Sequence, residues 1–123
     1  MWGTSTRTDD QEQSISNAAL DAAREVVNFR RRRNQRFAQE SIFEDPAWDI
    51  LLAIFVDEGA GKQVPVSSAC HASNVAVTTA LRYINRLVEV GLIERQDDAV
   101  DKRRTLLKLT VAGHRKMCEL LAG

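Results

Sequence analysis

Several common classes of protein find little support in this sequence. Two cysteines in 123 residues, Cys70 and Cys118, cannot build a disulfide framework, and they read as the reduced thiols of a cytosolic protein. No apolar run approaches the roughly 20 residues that span a bilayer. The opening MWGTSTRTDDQEQS lacks the basic-then-apolar order of a secretory leader. A cytoplasmic location without a membrane partner is therefore expected. Catalytic equipment is equally scarce. The segment DEGAGK (57–62) has neither the spacing nor the following Ser/Thr of a phosphate-binding loop. No Ser-His-Asp or Cys-His arrangement has supporting context, and Asp97 and Asp98 fall in an expected flexible loop, a poor place for a positioned acid–base pair. His114 and Cys118 are four apart on one expected helix, which is metal-ligand spacing, but two ligands do not make a site. The reading is a protein that is not an enzyme, with no cofactor and no metal.

Net charge is missing too: 17 Lys and Arg balance 17 Asp and Glu. The balance hides a division. Residues 1–59 hold 7 basic and 11 acidic side chains, whereas residues 60–116 hold 10 basic and 5 acidic ones. A basic C-terminal half suggests a side that faces a polyanion.

The length suits one domain with a single core. Residues 1–13 are polar and aperiodic and are expected to form a disordered tail. From Ser14, three-four spacing of Ile15, Ala18, Ala19, Ala22, Ala23, Val26 and Val27 predicts a long Ala-rich helix reaching toward Glu40. Residues 14–44 are assigned to this N-terminal element and 45–123 to a second unit. There Asp45 and Pro46 signal a helix start, with Asp45 as cap, and Trp48, Leu51, Leu52, Phe55 and Val56 form its apolar stripe. KQVPV (62–66) is an edge strand or loop because proline interrupts it. Ser67 is expected to cap a short helix to about Ala72. A second helix runs over 76–90 and is closed by Gly91. Two strands, LIERQ (92–96) and TLLKL (105–109), flank a polar loop, and Thr110 caps a last helix. There are no internal repeats.

Two short helices, a tight turn and then a hairpin describe a winged helix-turn-helix, so the fold class is mostly α with a small β-hairpin, preceded by a long N-terminal helix. On the second helix, Ala80, Tyr83, Ile84, Leu87 and Val88 can face inward. Thr78, Arg82, Asn85 and Glu89 then line the solvent side, with Thr79 and Arg86 at its margins. Arginine can bond guanine, asparagine adenine, and threonine a phosphate or a thymine methyl. The hairpin loop 97–104 adds Lys102, Arg103 and Arg104, where a duplex backbone would pass. Three acids, Asp97, Asp98 and Asp101, share that loop, and Asp101 could orient an arginine.

The string ALRYINRLVEVGLIER (80–95), the Asp-x-Arg at Asp101 and Arg103, and Leu109-Thr110-x-x-Gly113 together resemble the winged-helix region of MarR-type transcriptional regulators over roughly residues 46–118. The resemblance implies a sequence-specific regulator of double-stranded DNA, a homodimer, with Arg103 entering the minor groove. The family continues into long C-terminal dimerisation helices. In their place the helix of residues 14–40 is expected to pair two copies through its Ala-rich side.

Other features stay open at this level. Arg30 to Arg33 with Arg36 form either a second phosphate contact or a solvated face. Cys70 is either inert packing or a redox sensor. Trp48, Phe55 and Phe43 either line a pocket for an unknown small-molecule effector or pack the core. The rival to DNA binding is a winged helix that docks a protein partner, consistent with zero net charge and the acidic loop.

Overall fold

The computed structural model describes residues 2–40 and 43–123, with side chains from residue 9 onward. Five helices and a three-stranded sheet follow in the order α1 (Trp2–Arg36), α2 (Pro46–Gly59), β1 (Val64–Pro65), α3 (Val66–Ala72), α4 (Val77–Glu89), β2 (Ile93–Asp97), β3 (Thr105–Leu109) and α5 (Val111–Ala122). This is the mostly helical winged helix-turn-helix that the sequence implies. Among the described residues no helix is long and apolar enough to cross a membrane.

The buried centre is α2. Ile50, Leu52, Ile54 and Phe55 are all shielded from solvent, because α1, α3, α4 and β3 pack around this helix. Its apolar stripe is therefore broader than one face. Pro46 sits at the helix start as expected, but Asp45 makes no capping bond with its side chain. The sheet order is β1-β3-β2, all antiparallel, with Ile93 opposite Leu109 and Arg95 opposite Leu107. Of the edge strand or loop expected over 62–66, Val64 and Pro65 form an edge strand, a place where the missing N–H of proline is harmless. The helix after it begins at Val66, with Pro65 as its cap residue in place of Ser67.

Short-range chemistry closes the winged half. Gly91 adopts a left-handed φ of 78°. Leu92 N–H donates to Leu87 O and Gly91 N–H to Val88 O, both at 3.0 Å; the two bonds complete the glycine-terminated helix end. Thr110 Oγ1 donates to Gly91 O at 2.6 Å and accepts from Gly113 N–H at 3.0 Å. One hydroxyl thus caps α5 and ties it to the end of α4.

The N-terminal region differs from expectation in four respects. Helix α1 already begins at Trp2, within the stretch expected to be a disordered tail. Residues 9–14 on it are exposed, so these turns extend from the packed ones by propagation. The helix ends at Arg36 and Phe37–Glu40 form a turn; residues 41–42, at the end of the assigned element, lie outside the described residues. Ala19 and Ala23 are fully buried against the chain's own α2 and α5, so this part of the Ala-rich side is used within the chain, while Ala18 stays exposed and Ala22 half-buried. Lastly, the core is one cluster running from Ala19 to Cys118, so α1 is part of the same packed body as residues 45–123.

One buried ion pair locks α1 to α2. Arg30 Nε donates to Asp49 Oδ1 at 2.6 Å, and both side chains are largely buried. Arg30 Nη2 has no partner among the described residues.

Gly113 tests the packing of α5 on the end of α4. A Cβ built there would lie 2.1 Å from Leu92 O and 3.0 Å from its carbonyl carbon, and backbone cannot swing aside. Gly113→Ala gains up to about 1 kcal/mol in helix propensity but loses about 1–3 kcal/mol or more to overpacking. A net destabilisation is expected, seen as a lower urea midpoint. An unchanged midpoint would mean that α5 is not held this closely.

Candidate nucleic-acid interface

The amphipathic α4 decides what faces solvent. Ala80, Ile84 and Leu87 are buried. One hundred degrees per residue then turns Thr78, Arg82, Asn85 and Glu89 to the opposite side, and all four are exposed. Arg86 is exposed and Thr79 half-buried at the margins. Tyr83, expected inside, lies on the surface, as does Leu81, because the buried arc is narrower than the apolar spelling of the helix. Arg86 Nη1 reaches Glu89 Oε2 at 3.3 Å, a solvated pair of little energetic weight.

The wing brings Lys102, Arg103 and Arg104 to the surface beside β2 and β3, and its carboxylates are the tethers. Asp98 has a side chain only 8% exposed. It accepts from Val100 N–H at 2.9 Å and from Asp101 N–H at 3.4 Å, and its other oxygen lies 3.3 Å from Arg104 Nε. Backbone bonds between Asp98 and Arg104 and from Arg104 N–H to Asp101 O close the turn. The loop expected to be flexible is therefore internally bonded. Asp101 holds Arg103 through its backbone N–H and its Nε, both at 3.1 Å, and through Nη2 at 3.3 Å. Arg103 is still 91% exposed and Arg104 is 47% exposed. Their acids orient them without removing them from solvent, and no tethering carboxylate is found for Lys102 among the described residues.

Arg95, a residue the sequence analysis did not single out, joins this surface from β2. Its Nη2 donates to Asn85 Oδ1 on α4. The only sequence signal was its place two residues beyond the buried Ile93 on the same strand face.

The arginine run divides. Arg30 is consumed by Asp49. Arg33 stacks 4.5 Å over the Phe43 ring and bonds Asn34. Arg31, Arg32 and Arg36 are exposed. A cavity of about 710 Å³ between α1, α2 and the α3–α4 turn is lined by Val27, Arg30, Asn34, Phe43, Leu52 and His71 among others. Of the three aromatics considered for a pocket only Phe43 lines it; Phe55 borders a separate 260 Å³ space beside His114, and Trp48 borders neither.

Both cysteines are buried and unpaired. Burial pushes the Cys118 thiol up, away from the thiolate form that reacts or binds metal, and its Sγ lies 3.8 Å from the His114 ring nitrogens. Among the described residues no three acidic, His or Cys side chains converge as a metal site. Burial raises Glu58 as well, although its Oε1 accepts from Leu109 N–H at 3.0 Å.

Comparisons with known proteins agree with this geometry. Residues 49–113 match the family model described as "Winged helix DNA-binding domain". No curated protein matches the chain by sequence. Among solved structures, the chain is similar to a point mutant of S. aureus MepR at 21% identity and a TM-score of 0.55, covering 76% of this chain and 66% of that one. A MarR family transcriptional regulator from Silicibacter pomeroyi is 24% identical with a TM-score of 0.54, over 79% of this chain and 62% of that one. A probable transcriptional regulator from Pseudomonas aeruginosa is 27% identical with a TM-score of 0.54, over 76% and 73%. The chain thus spans slightly under two thirds of the length of the first two.

Arg103, chiefly by its side-chain hydrogen bonds, holds the Asp101 carboxyl below the usual carboxylate range. A lowered folded value means that the tether is fully present above the ordinary Asp value near 3.9 and is lost only as pH falls through the depressed value. Carbon-detected NMR of Asp101 should show a midpoint below that of a free Asp, and the Arg103 Hε resonance should shift with it. An ordinary midpoint would mean an untethered wing tip.

Proposed function

Because the chain belongs to the winged-helix DNA-binding domain family, with a winged helix of the MarR type, we propose that it is a cytoplasmic, sequence-specific regulator that binds double-stranded DNA. Helix α4 lies in the major groove. Thr78, Thr79, Arg82, Asn85 and Arg86 read or anchor it, and Lys102, Arg103 and Arg104 set the wing on the backbone and minor groove. The observation that carries this reading is the common exposure of the α4 polar face and the wing cations in a chain of zero net charge. Arginines oriented by neighbouring carboxylates suit directional contacts to phosphate oxygens. One solved structure similar to this chain, at 22% identity and a TM-score of 0.54, is a complex of MepR with DNA.

The regulator acts as a homodimer through α1, by the part of its Ala-rich side that packing within the chain leaves exposed. Ile15 and Phe29 are 50% and 59% exposed. With Ala18, Ala22 and Val26 they form one stripe at three-four spacing, beside the buried arc of Ala19 and Ala23. Two copies would cover it. The cavity beside Arg30 supports regulation by a small molecule: the unpartnered Nη2 favours a ligand carrying an acceptor oxygen.

Two measurements test these statements. In binding assays on specific and random duplexes, Arg82→Ala should relax sequence preference and lose about 1–3 kcal/mol on the specific site. Lys102→Ala should weaken every sequence alike and flatten the salt slope by about one. Equal losses everywhere for both would end the division between base reading and anchoring. For the dimer, Phe29→Asp should halve the mass measured by light scattering, while Ala19→Ser, inside the core, should lower stability without freeing monomers. A dimer that persists in Phe29→Asp excludes this stripe.

A further inference from the structure

Asn85 and Arg95 stand on different elements, yet their side chains meet. Asn85 lies on the exposed face of α4, in its third turn. Ile93, Arg95 and Asp97 share one face of β2; Ile93, opposite Leu109, is buried and Arg95 and Asp97 are exposed, so this face runs from the core out to the surface where β2 packs on α4. Arg95 therefore emerges beside α4, and its Nη2 meets the Asn85 amide. Arginine has donors only. Whichever way an amide is drawn, the atom facing the guanidinium must be Oδ1.

This contact changes what Asn85 can recognise. Asparagine reads adenine by accepting from N6–H with Oδ1 while donating to N7 with Nδ2. Here Oδ1 is engaged. It keeps a second lone pair, but a full positive charge stands where the partly positive amino group of adenine would approach. Nδ2 remains a donor, and the guanidinium has further N–H groups beyond the one used. Side by side they present two donors. Guanine alone offers two acceptors, O6 and N7, on its major-groove edge; thymine offers one, next to a methyl group.

We infer that Asn85 and Arg95 form a composite donor pair that reads a guanine edge in the major groove, with the strand arginine deciding the base chosen by the helix asparagine. The inference rests on the DNA-binding function proposed above and deepens it. Asn85 is three positions beyond Arg82, about 4.5 Å along the helix axis, which is more than one base-pair step of about 3.4 Å and less than two. The guanine therefore lies one or two base pairs from the one Arg82 meets.

Selection of bound duplexes from a random pool tests this on the full chain. The wild type should enrich guanine at a position one or two base pairs from the one whose preference disappears in R82A. R95A releases Oδ1, so the same position should turn to adenine, with the guanine-to-adenine ratio falling by about tenfold or more. R95K still donates to Oδ1 and should keep guanine, and N85A should show no preference there. The pair is overturned if the wild type selects adenine at that position, or if R95A keeps the wild-type base. It is also overturned if R95A weakens all duplexes equally with a shallower salt slope, since Arg95 is then a phosphate anchor. A wild type that enriches no sequence removes the DNA-reading function and this inference with it. Loss of the R82A position alongside an unchanged R95A profile removes the inference only.

Discussion

The burial of Ala80, Ile84 and Leu87 against the rest of the core sets the terms for everything on the surface of α4. A helix has one rotational setting once its apolar arc is packed. Fixing that arc turns Thr78, Arg82 and Asn85 outward with no further interaction needed. The same packing places the end of α4 where Gly91 can reverse the chain. The reversal delivers Ile93 to the core and Arg95 to the flank of α4. Interface and core are two faces of one periodicity.

Zero net charge does not conflict with a cationic surface, because the acids have work of their own. Asp49 neutralises Arg30 within the body of the protein. Asp98 and Asp101 sit at the base of the wing and hold Arg104 and Arg103 by side-chain bonds. Such tethers reduce the freedom each arginine would lose on meeting a phosphate. Charge counting treats these acids as cancelling the cations, whereas their geometry makes them supports.

Helix α1 shows how a single stretch can carry two different faces. Its alanines at 19 and 23 let it approach α2 and α5 closely, and the Arg30–Asp49 pair pins its C-terminal part. The neighbouring stripe from Ile15 to Phe29 is left over. Ala19 and Ala23 mark the arc that packs within the chain, whereas Ile15, Ala18 and Phe29 on the neighbouring arc are exposed.

Much of the fold was legible locally. The three-four spacing of α4, the glycine after it, Thr110 at the head of α5 and the proline in β1 all act through neighbours within a turn or two, so residue type and spacing were enough. The exposed polar positions of α4 followed from the same periodicity, although Tyr83 did not. What the sequence could not show was which side chains meet across elements. Arg30 finds Asp49 at 19 positions' distance, Arg95 finds Asn85 at 10, and Glu58 finds Leu109 at 51. Each pairing depends on how helices and strands stack, and therefore so does the division of the arginine run into buried and free members, the burial of Asp98 and the use of the alanine face. Chain-local rules act over a few residues; the stacking of elements, which only the folded core decides, sets which charges remain available to a ligand.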